Sequence, residues 1–124
     1  MLLDADIMVD LARGYPPATA WLNGLGPASF GVPGLVAMEL IQGCRNLIDQ
    51  RRLEKQLQRY ALYWPKLADC QRGYQDFASY RLSHGLGLVD ASIGATAVGL
   101  GETLATFNVK HFAVIARLTM FQPY

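Results

Sequence analysis

Short apolar runs alternate along the chain with segments of helical periodicity, and glycine and proline residues separate them. The apolar runs predict strands at Met1–Asp4, Ala28–Val32, Thr103–Phe107 and Leu118–Phe121. The periodic segments predict helices at Ile7–Ala12, Ala18–Leu25, Leu35–Cys44, Asn46–Pro65, Lys66–Gly85 and Ala91–Val98. Strands and helices in alternation are typical of βαβ crossovers. We therefore expect an α/β fold with three layers (α/β/α) around a short central parallel sheet.

The middle of the chain is predicted to form a helical hairpin that protrudes from this sheet. Its two helices, Asn46–Pro65 and Lys66–Gly85, meet near Pro65. From residue 45 to residue 81 the chain carries eight basic and four acidic residues, for a net charge of +4. A solvated helical surface explains such a charge run without any ligand.

Length and composition predict one domain over residues 1–124, because 124 residues fall within the usual range of a single domain. Charged residues make up 17% of the chain, too few for a disordered protein. The longest weakly polar run, Leu86–Gly101, contains Asp90 and several glycines, so no membrane segment is expected. Acids near the amino terminus are unlike a signal peptide, and we expect a cytoplasmic protein with free thiols at Cys44 and Cys70.

Acidic side chains stand at the ends of predicted elements. Asp4 follows the first strand, Asp90 precedes a late helix, and Glu39 is the one acid of its helix. Ligands of open parallel sheets bind beyond the carboxyl ends of the strands. Carboxylates about 4 Å apart repel by roughly 4 kcal/mol at an effective dielectric of 20, so a cation is needed to hold them, and oxygen ligands favour Mg²⁺ or Mn²⁺. Simpler roles remain open: Asp90 as a helix N-cap, and Asp4 with Asp6 as turn acids.

The acids belong to four short segments that occur in a distinctive order. These are Met1–Asp10, a strand ending in Asp4; Val36–Gly43, a helix with Glu39, Leu40 and Gly43; Asp90–Ala97, an Asp before small residues; and Thr103–Phe112, a strand running into Thr106, Asn108 and Phe112. Together they resemble the four motifs of the PIN-domain ribonucleases, and specifically the VapC-type toxins of bacterial toxin–antitoxin pairs. The resemblance spans residues 1 to 112 and implies a metal-dependent endoribonuclease.

The resemblance also implies roles for individual residues. The catalytic residues would be Asp4, Glu39, Asp90 and Asn108; Mg²⁺, or Mn²⁺, would be held by Asp4, Asp90, Glu39 and Asp6; and Thr106 would position a phosphate or a water. Asn108 stands where many members carry a fourth acid, and Asp6 adds an acid where a neutral residue is usual. Phe107 stands where Arg is common, and His111 replaces a frequent Asp. His84 and His111 are assigned no chemistry.

Partners follow from the same resemblance. The substrate would be single-stranded or loop RNA, with Arg51, Arg52, Lys55 and Arg59 in contact with its phosphates. A cognate VapB-type antitoxin would occupy the same groove, and the protein would form a homodimer. Tyr60, Tyr63 and Trp64 are candidates for a dimer or antitoxin surface, although aromatic residues at helical spacing are also typical of a core.

The net charge of +1 is a sum of two opposite regions. Without Asp4, Asp6, Glu39 and Asp90, the remaining residues carry +5, which suits an RNA-binding surface around an acidic pocket. Two alternatives stay open. One is a receiver-like binding module, although the strand Ala28–Val32 is followed by Pro33 and Gly34 rather than by the Asp that a receiver needs. The other is a PIN-like domain whose catalysis has weakened to a scaffold role, which the neutral Asn108 makes conceivable.

Overall fold

A five-stranded parallel sheet runs through the centre of the molecule, in the strand order β3–β2–β1–β4–β5. The computed structural model describes the backbone of residues 1–124 and every side chain except that of Pro27. The strands are β1 (Leu2–Leu3), β2 (Gly31–Pro33), β3 (Ala61–Tyr63), β4 (Leu104–Ala105) and β5 (Met120–Phe121). All neighbouring strands pair in parallel. The predicted α/β fold with a short central parallel sheet is confirmed.

Helices fill the connections between these strands. They are α1 (Ala5–Ala12), α2 (Pro16–Leu25), α3 (Gly34–Gln42), α4 (Leu47–Leu57), α5 (Leu67–His84), α6 (Leu88–Leu100) and α7 (Val109–Phe112), with a 3₁₀ turn at Pro27–Ser29. In the described residues, none of these helices is long and apolar enough to cross a membrane. Cys44 and Cys70 are free thiols, as expected.

The core lies on both faces of the three central strands. Leu2, Leu3, Val32, Leu104 and Ala105 are all fully buried. Because both faces of a parallel sheet are covered, its strands are continuous apolar runs rather than alternating ones. This is why two- and three-residue strands are still visible in the sequence as short apolar segments.

The prediction of one helix over Asn46–Pro65 is wrong, because that stretch contains a helix and a strand. Asn46 caps α4 by accepting a hydrogen bond from the backbone N–H of Asp49, and the helix ends at Leu57. Residues 61–63 then pair with β2 as an edge strand. The predicted hairpin is therefore divided: α4 packs on α3, whereas α5 packs along α6.

Glycines in and after β2 make room for aromatic rings from the end of this divided segment. A Cβ at Gly31 would overlap the ring of Tyr63, and a Cβ at Gly34 would overlap the ring of Trp64. Tyr63 and Trp64 nevertheless remain partly exposed. The Tyr63 ring thus packs on strand β2 and the Trp64 ring on the first residue of α3, so residues 63 and 64 are not part of a helix as their spacing had suggested.

Two boundaries also differ from prediction. The second strand is Gly31–Pro33 rather than Ala28–Val32, because residues 27–29 form the 3₁₀ turn. Asp90 is not the N-cap of α6: the helix begins at Leu88 and its N-cap is Gly87. Asp90 thus lies in the first helical turn, with its carboxylate close to the positive end of the helix dipole.

Candidate active site

Asp4 and Thr106 meet at the carboxyl end of the sheet. Each directly follows a strand, and β1 and β4 are parallel neighbours with Leu3 opposite Ala105. The Thr106 hydroxyl donates a hydrogen bond of 2.7 Å to Oδ2 of Asp4, and both side chains are buried. The backbone N–H of Ala5 donates to Oδ1 of Asp4 at 2.8 Å. The position expected for Asp4, at the end of the first strand, is confirmed, and Asp4 is also the N-cap of α1.

Asp6 joins the same site through the backbone that follows β4. The N–H of Phe107 donates to Oδ2 of Asp6 at 2.8 Å, and the N–H of Ile7 donates to Oδ1 at 2.7 Å. The N–H of Asn108 donates to the Thr106 hydroxyl oxygen at 3.0 Å. The Asn108 side chain is exposed and makes no capping bond to α7. Residues 106–108 therefore hold two carboxylates in place and leave the Asn108 amide facing solvent.

Burial raises the pKa values of Asp4, Glu39 and Asp90, and the charges of nearby carboxylates add to the rise at Asp4 and Glu39. Burial, reinforced by the charges of Asp6 and Asp90, raises the pKa of Asp4 to about 6, although hydrogen bonds from Thr106 and Ala5 oppose the rise. Partial burial and the charge of Asp90 raise the pKa of Glu39. Partial burial also raises the pKa of Asp90. Asp6 and Asp90 thus lie close enough to act on Asp4, and Asp90 lies close enough to act on Glu39.

This donor set fits a divalent cation. Carboxylate oxygens are the ligands that Mg²⁺ and Mn²⁺ prefer, and a cation would favour the ionised form of carboxyls whose pKa values are raised mainly by burial. In the part of the chain that the structure describes, however, no three acidic, histidine or cysteine side chains converge closely enough to enclose an ion. Of the four acids, Glu39 lines a described cleft.

His111 is a neighbour of the site that sequence reasoning missed. Its Nδ1 lies 3.7 Å from Oδ2 of Asp90, and its proximity lowers the pKa of that carboxyl against the effect of burial. His111 lies on α7, which packs against α6, the helix that carries Asp90. The contact depends on this packing, so no local signal in the sequence indicates it.

Three of the four basic residues predicted to bind RNA lie within about one turn of α4, and the fourth, Arg59, lies elsewhere. Arg52 lines a cleft of about 640 Å³ between α1, α3 and α4, together with Glu39 and Leu40. Arg51 and Lys55 are exposed on α4. Arg59 lines a separate cavity with Met1 and other residues at the starts of the strands, at the opposite end of the sheet from the acids. Of the four, Arg52 is the one that shares a cavity with a predicted catalytic acid.

Comparison with known proteins gives consistent matches along the chain. The sequence profile described as the PIN domain matches residues 1–118. "Ribonuclease VapC10" of Mycobacterium tuberculosis is 31% identical over 122 residues, covering 95% of this chain and 90% of that protein.

Solved structures show the same fold. A toxin–antitoxin complex from Klebsiella pneumoniae contains a chain with a TM-score of 0.73 and 27% identity, and the match covers 99% of this chain and 97% of that one. VapBC-1 from nontypeable Haemophilus influenzae gives a TM-score of 0.78 at 24% identity, covering 98% of this chain and 96% of that one.

Proposed function

The chain belongs to the PIN domain family, and from this membership we propose that its acidic site cleaves RNA. Its function is that of a VapC-like toxin, an endoribonuclease that a VapB-type antitoxin inhibits. The observation that supports this most strongly is the buried Asp4, held by Thr106 at the carboxyl end of the sheet and surrounded by further acids. A weakened, scaffold-like PIN domain would have no need to keep this repulsive cluster.

The proposed cofactor is Mg²⁺, with Mn²⁺ as a substitute, held by Asp4, Asp90, Glu39 and Asp6. Such an ion lowers the pKa of a coordinated water and neutralises charge on a phosphodiester. Thr106 and the N–H of Phe107 keep the Asp4 and Asp6 oxygens oriented before substrate arrives. Preorganised groups of this kind lower the cost of assembling a site. Asn108 adds an exposed amide whose N–H₂ group can donate a hydrogen bond to the substrate phosphate.

Glu39 is the acid best placed to handle a proton. It is the exposed member of the cluster, so a proton that it takes from the attacking water has a direct route to solvent. The water oxygen bonds to phosphorus, the bond from phosphorus to the leaving oxygen breaks, and a solvent proton neutralises the leaving group. From Glu39 the proton passes directly to solvent.

RNA would approach along the cleft that contains Arg52. We expect Arg52→Ala to remove one phosphate contact, and therefore to reduce the slope of the log binding constant against log salt concentration by about 1. Arg59→Ala is the matched control, because Arg59 lies at the other end of the sheet. Equal slopes for the two variants would contradict this path for the RNA.

The same cleft suits an antitoxin segment that carries both apolar and charged side chains. It combines apolar residues such as Met8 and Leu53 with charges of both signs, including Arg13 and Asp49. We extend the proposal to a homodimer acting in the cytoplasm. Sedimentation of the purified protein tests the dimer, since a monomer at high concentration would contradict it.

Induced expression followed by sequencing of RNA ends tests the function itself. The wild type is expected to arrest growth and to generate new RNA 5′ ends, and Asp90→Asn is expected to do neither. Asp76→Asn, which changes a carboxylate on α5 outside the site, should behave as the wild type. A folded Asp90→Asn protein that still generates the same ends would refute the assignment.

A further inference from the structure

Three aromatic rings stand in a row beside the acidic site. The ring centroids of Phe107 and Tyr124 are 5.0 Å apart, and those of Tyr124 and Tyr15 are 5.9 Å apart. Phe107 is 37% exposed and Tyr15 is 46% exposed. Single exposed apolar residues are ordinary on protein surfaces, but adjoining exposed rings indicate a binding surface. We call Tyr15, Tyr124 and Phe107 the aromatic row.

Contacts with α1, Trp21 and Asp6 position the aromatic row. The Tyr124 hydroxyl donates a hydrogen bond of 3.0 Å to Oδ2 of Asp10 on α1, and the Tyr124 ring also packs against Trp21 at 6.0 Å. Phe107 is anchored by its backbone N–H, which donates to Asp6. Because these rings are already positioned, a ligand that contacts them loses little free energy to ordering.

The row adjoins the acids directly. Phe107 follows Thr106, whose hydroxyl holds Asp4, and its own N–H holds Asp6. Burial and the hydrogen bond to Asp10 raise the pKa of Tyr124, and the charge of Asp6 adds to this rise. The backbone of Phe107 thus lies next to Asp6 while its ring packs on Tyr124, and a nucleotide with its phosphate at the acids would extend its base towards this ring. Hydrogen-bonding groups that would read the base identity are not needed for such a contact, because every base has a π-face.

We propose that Phe107, supported edge-on by Tyr124, is the surface on which a base of single-stranded RNA stacks beside the cleaved bond. The inference rests on the proposed ribonuclease function and adds the substrate contact that orients the chain. Unstacked bases of single-stranded RNA commonly stack on aromatic side chains. A base held in this way fixes the adjacent phosphate relative to Asp4 and Asp6. Phe107 is thus a positioning residue that acts on substrate binding.

The test measures binding of short single-stranded RNA of randomised sequence, containing 2-aminopurine, to the full chain in an Asp90→Asn background with Mg²⁺. Phe107→Leu is expected to weaken binding by roughly 5- to 100-fold, the range for loss of one stacked base. It should also abolish the quenching of 2-aminopurine fluorescence, and Phe107→Trp should retain both. RNA that lacks its bases should bind equally to the proteins with and without the Phe107→Leu substitution, because it has phosphates but nothing to stack.

Phe121→Leu is the matched control. Phe121 is 42% exposed, and its ring packs against Trp21 at 6.4 Å, on the neighbouring strand β5. Its substitution is expected to leave RNA binding unchanged. An equal loss in both variants would overturn the inference, because it would indicate general destabilisation of the aromatic residues.

The remaining outcomes separate the inference from the function on which it rests. If the unsubstituted chain cleaves RNA and Phe107→Leu binds and cleaves it equally well, the stacking role is refuted and the ribonuclease stands. A Phe107→Leu variant that loses affinity for the antitoxin but not for RNA likewise refutes it. If the unsubstituted chain neither binds nor cleaves RNA, the proposed function fails and the inference fails with it.

Discussion

Replacing Asp4 by asparagine is expected to stabilise the metal-free protein while removing its activity. Asp4 is 3% exposed, and burial together with the charges of Asp6 and Asp90 raises its pKa from 3.8 to about 6. At neutral pH the folded protein therefore keeps a carboxylate ionised where the surroundings favour the neutral form. An amide at this position removes that penalty.

The size of the effect follows from the pKa change. A rise from 3.8 to about 6 corresponds to about 3 kcal/mol of destabilisation above both values. An asparagine oxygen can still accept from the N–H of Ala5, and its amide nitrogen then faces the Thr106 hydroxyl, which can rotate to accept. Allowing about 1 kcal/mol for a poorer hydrogen bond, we expect a net stabilisation of about 2 kcal/mol at neutral pH.

The pH dependence has a definite sign. A carboxyl with a raised pKa binds more protons in the folded state than in the unfolded state between pH 3.8 and about 6. Its contribution to the free energy of unfolding therefore falls as pH rises through that window. Urea unfolding in EDTA, at several pH values from below 4 to 7.5, measures this for the wild type and for Asp4→Asn.

The stability difference between the two proteins should grow with pH across that window and stay constant above it. Glu54→Gln is the control: Glu54 is an exposed carboxylate on α4, and its replacement should change stability by less than about 0.5 kcal/mol. Added Mg²⁺ should stabilise the wild type and have little effect on Asp4→Asn. An Asp4→Asn protein that is less stable than the wild type at pH 7.5 in EDTA would refute the electrostatic account of the site.

Three further substitutions test single contacts. Thr106→Val removes the hydroxyl that donates to Asp4, so we expect the free energy of unfolding in urea to fall by about 1–3 kcal/mol. Loss of this hydrogen bond should also raise the pKa of Asp4, so the pH profile of cleavage should move to higher pH. An unmoved profile would contradict this. Gly34→Ala places a methyl group where the Trp64 ring lies, and should cost about 1–3 kcal/mol and alter tryptophan fluorescence. Asn46→Ala removes the N-cap of α4 and should cost about 1 kcal/mol in thermal unfolding, whereas Asn46→Asp should retain stability.

The position of Asp4 could be predicted because its signal is local. Asp4 follows the apolar run that forms β1, at the end of a parallel sheet where ligands bind. Asp90 and Glu39 lie on helices α6 and α3, and their positions relative to Asp4 depend on how those helices pack. The family motifs added the order in which the acids occur and the ribonuclease chemistry, which neither composition nor periodicity could supply.

What could not be predicted depends on contacts between distant residues. Strand β3 exists because it pairs with β2, and its own residues carry a periodicity that also suits a helix. Tyr124 and Asp10 are 114 positions apart, so nothing local indicates their hydrogen bond or the ring contact that supports Phe107. Arg59 looked equivalent to Arg52 in charge and spacing, but the end of α4 directs it to the opposite end of the sheet.

Cleavage of RNA by the purified protein tests the central claim most directly. Wild type and the Asp4→Asn/Asp90→Asn double variant are compared with Mg²⁺ and with EDTA, and circular dichroism verifies that both are folded. The account predicts that only the wild type with Mg²⁺ cleaves the RNA. Equal cleavage by the folded double variant, or cleavage by the wild type that persists in EDTA, would contradict it.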